Sequence, residues 1–159
     1  IDEVLNYADA VLIEADGSAR LPFKVPASHE PVIYPKTDRI LVVEGLSALG
    51  RPINDICHRK ELFCDLTGLE GENWLDENGM AEGIVKGYLC PMSERFPNMN
   101  LTVILNQADD EKKEAVGEKV AGKVTSLWNR QKKSKRIPVY PVSWRRMREE
   151  KEELAWLFI

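Results

Sequence analysis

Short apolar runs, set apart by amphipathic or polar stretches, give this chain its pattern. Val11-Leu12-Ile13 has no polar alternation and predicts a strand buried on both faces, ending in Glu14-Ala15-Asp16-Gly17-Ser18. Arg39 to Val43 predicts a second strand, closed by Glu44-Gly45. Leu101 to Leu105 predicts a third, followed by Asn106-Gln107-Ala108-Asp109, and Ile137 to Val142 a fourth, ending at Ser143. Helical spacing fills the intervals. Asn54 or Asp55 caps a helix through Ile56 and Leu62 towards Leu66, with Gly68 as its stop. Asn78 caps another, with Met80, Ala81, Ile84, Val85 and Tyr88 on one face and Cys90-Pro91 at its end. Val116, Val120, Val124, Leu127 and Trp128 mark the clearest helix. A charged helix from about Arg146 carries Leu154, Leu157 and Phe158 on its apolar side. Strands alternating with helices predict one α/β domain over 1–159, a three-layer fold with a mainly parallel sheet.

The stretch between Ser18 and Arg39 breaks this rhythm. Pro22, Pro26, Pro31 and Pro35 fall too close together for a helix, so it predicts an extended loop. A loop of that length inside a domain is functional or mobile, and this one carries Arg20, Lys24, His29 and Glu30. Lys24, His29 and Glu30 read as a lid over a site, with Lys24 partly covering a phosphate, or as a partner surface, against a passive crossover.

Composition narrows the function classes. With 43% apolar and 30% charged residues the chain is of globular rather than disordered type. A net charge of −4 argues against nucleic acid as the main partner, since a phosphate backbone needs a basic face. No run approaches a membrane span. Cys57, Cys64 and Cys90 are an odd set without a tight framework and read as reduced thiols in a cytoplasmic setting. Cys57, His58 and Cys64 lack zinc-ligand spacing, and Cys57 and Cys64, two helical turns apart on one face, read as core residues. The basic run Arg130 to Arg136 reads as a solvated loop, and Ser18 lacks the turn motif of a serine hydrolase. The opening, Ile1-Asp2-Glu3-Val4-Leu5, reads as the tail of a helix entered midway, as in a piece of a longer chain.

The candidate chemistry lies at the strand tips, where open parallel sheets bind ligands. Glu14 and Asp16 are placed to hold a hydrated Mg²⁺ or orient a water, and Gly17 and Ser18 to contact a phosphate through the backbone. A polar turn is the plainer alternative. Asp109 at the third tip is placed to accept two N–H bonds from a guanine edge, and Asn106 to tie neighbouring loops together. Asp109-Asp110-Glu111 also reads as an ordinary acidic helix start. Ser143 falls where a loop closes over a base.

The order E-x-x-G, N-[KQ]-x-D and a strand ending in Ser resembles the metallochaperone and maturation GTPases of the P-loop class. More specifically, Val11 to Ser18, Leu21 to Pro26, His29 to Ile33, Thr37-Asp38 and His58-Arg59 resemble the YqeC family, which implies an accessory role towards selenium-dependent molybdenum hydroxylases. The resemblance implies a nucleoside triphosphatase of P-loop type using Mg²⁺ and ATP or GTP, with Glu14, Asp16 and Lys24 at its chemistry. Its implied partner is a molybdenum hydroxylase or a molybdenum-cofactor maturation protein. It also implies a phosphate-binding loop upstream, and no G-x-x-x-x-G-K-[ST] occurs in these residues. The sheet is therefore expected to be incomplete at its N-terminal side, with an unpaired edge, a gap filled by another chain, or a rearrangement. Gln107 stands where a Lys is commoner, which weakens the case for guanine. A non-enzymatic binding module, or a relative without nucleotide hydrolysis, is the competing expectation.

Overall fold

The computed structural model describes residues 1–131 and 135–150 and is α/β with parallel sheets. The main sheet has β2 (Arg39–Gly45), β4 (Asn100–Asn106) and β5 (Val139–Pro141), in the order β2-β4-β5 and parallel throughout. β1 (Phe23–Lys24) and β3 (Cys57–His58) form a separate short parallel pair. Leu101 to Leu105 of β4 are all buried, as a central strand covered on both faces requires. Leu101, Val103 and Leu105 join the main core, together with Val120, Val124 and Trp128 of α5 (Glu111–Arg130). Ile104 faces the other way and packs with Val142 and with Met147 of α6 (Trp144–Glu150).

β2 is different because it lies at the edge. Ile40, Val42 and Glu44 are buried, whereas Val43 is 51% exposed. The backbone parity is equally informative. Asn100 N donates to Asp38 O towards β4, so the even-numbered peptide groups of β2 face β4. The odd-numbered ones face away, and Gly45 N accordingly donates outward to Pro22 O at 2.7 Å. The N–H and C=O of Leu41 and Val43 thus point off the edge of the sheet.

Several expected elements differ. Val11-Leu12-Ile13 is not a strand, and Leu12 is 76% exposed. The segment lines a cavity with the edge of β2 and does not pair with it, so its apolar run alone does not make it a strand. The helix expected from Asn54 to Leu66 is broken into α1 (Ile53–Ile56), β3 and α2 (Lys60–Thr67). Arg59 takes a left-handed backbone at φ 64° between β3 and α2, which no helix accommodates. Cys57 and Cys64 consequently lie on different elements, not on one helical face; all three cysteines are free.

The next helix starts one turn's cap earlier than expected: Asp76, not Asn78, caps α3 (Glu77–Gly83) by accepting from Gly79 N at 2.7 Å. It also runs on past Pro91. A π-helical segment (Ile84–Leu89) precedes α4 (Cys90–Arg95), and its wider turn relieves the crowding that a proline ring imposes on the turn before it. The expected helix through Val116 to Trp128 is α5, capped by Asp110, whose Oδ1 accepts from Lys113 N at 2.8 Å. That cap and the nearby Lys113 hold the Asp110 carboxyl below its usual range. Leu154, Leu157 and Phe158, and part of the basic run from Arg130 to Arg136, lie outside the described residues.

Candidate functional site

Two groups of polar side chains gather at the carboxyl ends of the main strands. The first is built around Lys24. The loop was expected to carry this lysine as part of a lid, but β1 buries it, with the side chain 3% exposed. A buried ammonium needs compensation, and Lys24 has three oxygens close by. Its Nζ lies 3.0 Å from Asp16 Oδ2, 3.0 Å from Glu30 Oε2 and 2.9 Å from the Gly17 carbonyl. Glu30 in turn accepts from Arg59, at 2.5 Å through Oε1 and 3.2 Å through Oε2. The left-handed turn at Arg59 is what brings this guanidinium round to Glu30 from the head of α2.

Glu44 completes this group. It is the last inward-facing residue of β2, and its Oε2 accepts from the Lys24 amide at 3.2 Å. Burial first, and the nearby Asp16 carboxylate second, push its acid well above the ordinary carboxylate range; the Lys24 amide and the Tyr88 hydroxyl pull the other way. Tyr88 is raised too, by burial and by Glu44. The Glu44 Oε1 and Asp16 Oδ2 atoms are buried without a hydrogen bond.

Glu30 shows the opposite shift. The Arg59 hydrogen bond, helped by Lys24, lowers its pKa from 4.5 to about 2. A carboxylate depressed in the fold contributes stability that is fully present above about pH 4.5 and lost as pH falls towards about 2. Glu30→Gln should therefore flatten the acid limb of a stability–pH profile across that window, read as the urea midpoint at each pH. An unchanged profile would show that the Arg59 link carries no such stability.

The second group lies at the tips of β4 and β5. Ser143 Oγ donates to Asp109 Oδ1 at 2.6 Å, and Asn106 Oδ1 accepts from Gln107 N at 2.7 Å. Ser143 is itself buried and ties the end of β5 to Asp109. Gln107, left-handed at φ 72°, sends Oε1 across to accept from Ser47 N at 3.1 Å. Gly45 makes this crossing possible: a Cβ there would stand 2.8 Å from Gln107 Oε1 and 3.0 Å from Pro22 O. The end of β2 is thereby tied to both groups.

The remaining candidates are placed plainly. Glu14 is exposed, on the same cavity lining as Asp16 and Lys24. Gly17 contributes its carbonyl to Lys24, and a Cβ there would meet open space, so no close approach requires glycine. The Ser18 carbonyl accepts from Leu21 N in a turn. His29 is exposed, 4.0 Å from Glu30. His58 has Nδ1 buried without a hydrogen bond, while its carbonyl accepts from Val25 N. Burial pushes the Cys57 thiol up to about 12, which leaves it unreactive.

A cavity of about 670 Å³ opens beside the first group. The Val11 to Asp16 segment walls one side and Arg39 to Glu44 of β2 the other, with Ile33, Leu21, Lys24 and Tyr88 also on its lining. One end is polar and the rest apolar, within the size range of ligand pockets. Among the described residues, no group of three or more His, Cys, Asp or Glu side chains forms a ready metal cage. No described helix is long and apolar enough to cross a membrane.

Residues 1–61 match the family described as YqeC protein. The uncharacterized protein YqeC of Escherichia coli (strain K12) is 42% identical over 62 residues, which is 38% of this chain and 24% of that protein. Residues 1–61 are thus similar to the YqeC family, and the chain spans about a quarter of the length of the relative it matches. The matched region holds Asp16, Lys24, Glu30, Glu44 and Arg59, so the Lys24 network falls entirely within the YqeC-like part. The Asn106, Asp109 and Ser143 group falls beyond it. No solved structure matches the chain significantly.

Proposed function

We propose that this chain carries the nucleotide site of a P-loop-type accessory protein. The observation that supports it best is the gathering of Asp16 and Lys24, beside a partly apolar cavity, at the carboxyl end of a parallel sheet. Open α/β sheets bind ligands at that end. In this reading Lys24 and the backbone around Gly17 and Ser18 face phosphate oxygens. Asn106, Asp109 and Ser143 form the base end, with ATP and GTP both admissible. The ligand's Mg²⁺ would supply charge neutralisation between phosphate oxygens. Asp16 fits such an ion, since its buried Oδ2 has an ion-pair neighbour but no hydrogen bond. The exposed Glu14 is left outside its ligand set. The role as a maturation factor for a selenium-dependent molybdenum hydroxylase, or for its molybdenum cofactor, follows from the YqeC resemblance and forms part of the proposal.

A second reading, a binding module without hydrolysis, is favoured by one feature. The outward peptide groups of Leu41 and Val43 suit an extended segment of a partner protein laid along β2.

Titration of the chain with fluorescent ATP and GTP analogues in the presence of Mg²⁺ tests the first reading. Saturable binding of at least one is expected, weakened about 10-fold or more by Asp16→Asn. Absence of saturable binding by both would overturn it in favour of the module.

A further inference from the structure

Glu44 is the least explained charged residue of the site. It lines the cavity, is 2% exposed, and sits at the end of a strand whose inward positions are otherwise Ile40 and Val42. A carboxyl group on a buried strand face carries a desolvation penalty that two oxygens in good hydrogen bonds would offset. Only Oε2 is so engaged by the backbone, through the Lys24 amide; Oε1 is buried and unpartnered. Asp16, on the facing wall of the same cavity, has a buried Oδ2 with no hydrogen bond, held only by the Lys24 ammonium. Two under-satisfied carboxyl oxygens at one polar end are a donor set that hard cations take. The number also suits the ion: Mg²⁺ uses one or two protein carboxylates and fills its remaining positions with water and phosphate oxygens.

We propose that Glu44, with Asp16, binds one divalent cation of the Mg²⁺ class at the polar end of the cavity. The exposed Glu14 is not a direct ligand. Lys24 does not stand in the way, because Glu30 and the Gly17 carbonyl hold its ammonium when Asp16 turns to the ion. Glu30 stays committed to Arg59 and Lys24, and so remains outside the ligand set. The inference rests on the nucleotide reading for its biological use. The site itself is defined by the protein's own oxygens.

The test is a titration of the chain with Mn²⁺ in the absence of nucleotide, following free Mn²⁺ by its electron paramagnetic resonance signal. One site is expected, displaced by excess Mg²⁺, and weakened about 10-fold or more in both Glu44→Gln and Asp16→Asn. Glu14→Gln should bind within about two-fold of the unsubstituted chain, a change of under 1 kcal/mol. Glu44→Gln preserves the shape and the acceptor for the Lys24 amide, and thermal unfolding checks its fold. Should it fail to fold, Asp16→Asn decides. Absence of Mn²⁺ binding, binding indifferent to Glu44 and Asp16, or loss confined to Glu14→Gln would each overturn the proposal. Mn²⁺ binding that depends on Glu44, in a chain that takes up neither nucleotide analogue, would leave the cation site standing and remove the nucleotide reading alone.

Discussion

Replacing Lys24 with methionine is expected to cost about 3–5 kcal/mol of folding stability, the range for removing one partner of a buried ion pair. The methionine would fill most of the space, so the loss comes from charge rather than from a void. Lys24 is buried between Asp16 and Glu30 and also donates to the Gly17 carbonyl. Without the ammonium, Asp16 keeps a buried oxygen with no partner, and Glu30 is left with Arg59 and the Ala27 amide. Chemical denaturation of the two proteins at neutral pH checks the expectation. A difference below about 1 kcal/mol, the worth of an exposed pair, would mean that water reaches the network.

A comparable loss, about 3–5 kcal/mol, is expected for Phe63→Ala. Phe63 is wholly buried in α2 and meets Phe23 edge to face, with ring centroids 5.4 Å apart. Gly83 of α3 completes the contact. A Cβ there would stand 2.7 Å from Phe63 and 2.8 Å from Phe23, so the helix comes as close to both rings as a backbone can. Phe23 immediately precedes Lys24 in β1. Loss of the Phe63 ring should therefore loosen the strand that presents the lysine, besides leaving a void. Denaturation midpoints measure the first effect. The second would appear as weaker cation or nucleotide uptake at temperatures where the variant is still folded, and intact stability would show that the neighbouring side chains collapse into the gap.

Much of the main sheet was legible from local pattern because its strands are held by neighbours that are present. Arg39 to Gly45 and Asn100 to Asn106 pair along their whole length, and α5 has a continuous apolar face and its own acidic cap. Val11 to Ile13 has equally strand-like residues but pairs with no strand, and a cavity lies between it and β2. Arg59 in a left-handed turn and Pro91 inside a helical path are decisions of tertiary packing that override residue preference.

The site was legible in its residue types and less so in its assembly. Asn106, Asp109 and Ser143 sit near strand ends as the pattern implied, whereas Asp16 follows a segment that forms no strand; the YqeC resemblance covers residues 1–61. Lys24 was misplaced because a proline-rich stretch reads as exposed loop, whereas two of its residues form a buried strand. Glu44 was the residue overlooked. Its signal was available: Ile40, Val42 and Glu44 share one face of β2, and an acid in register with buried aliphatics seldom sits there without a partner. Glu30 and Arg59 had no such signal, because they meet only through a turn that the sequence does not announce.

The outward-facing peptide groups of Leu41 and Val43 bear on how the protein behaves in a crowded solution. A bare row of donors and acceptors is a template for another strand, and sheet proteins commonly blunt such rows with charge, proline or a bulge. Along Arg39-Ile40-Leu41-Val42-Val43-Glu44-Gly45 the protection is thin: the one acid points inward, and Val43 presents its methyl groups to solvent. Self-association would then begin at this edge, and any segment that covered it would act as a guard against aggregation as well as a structural complement.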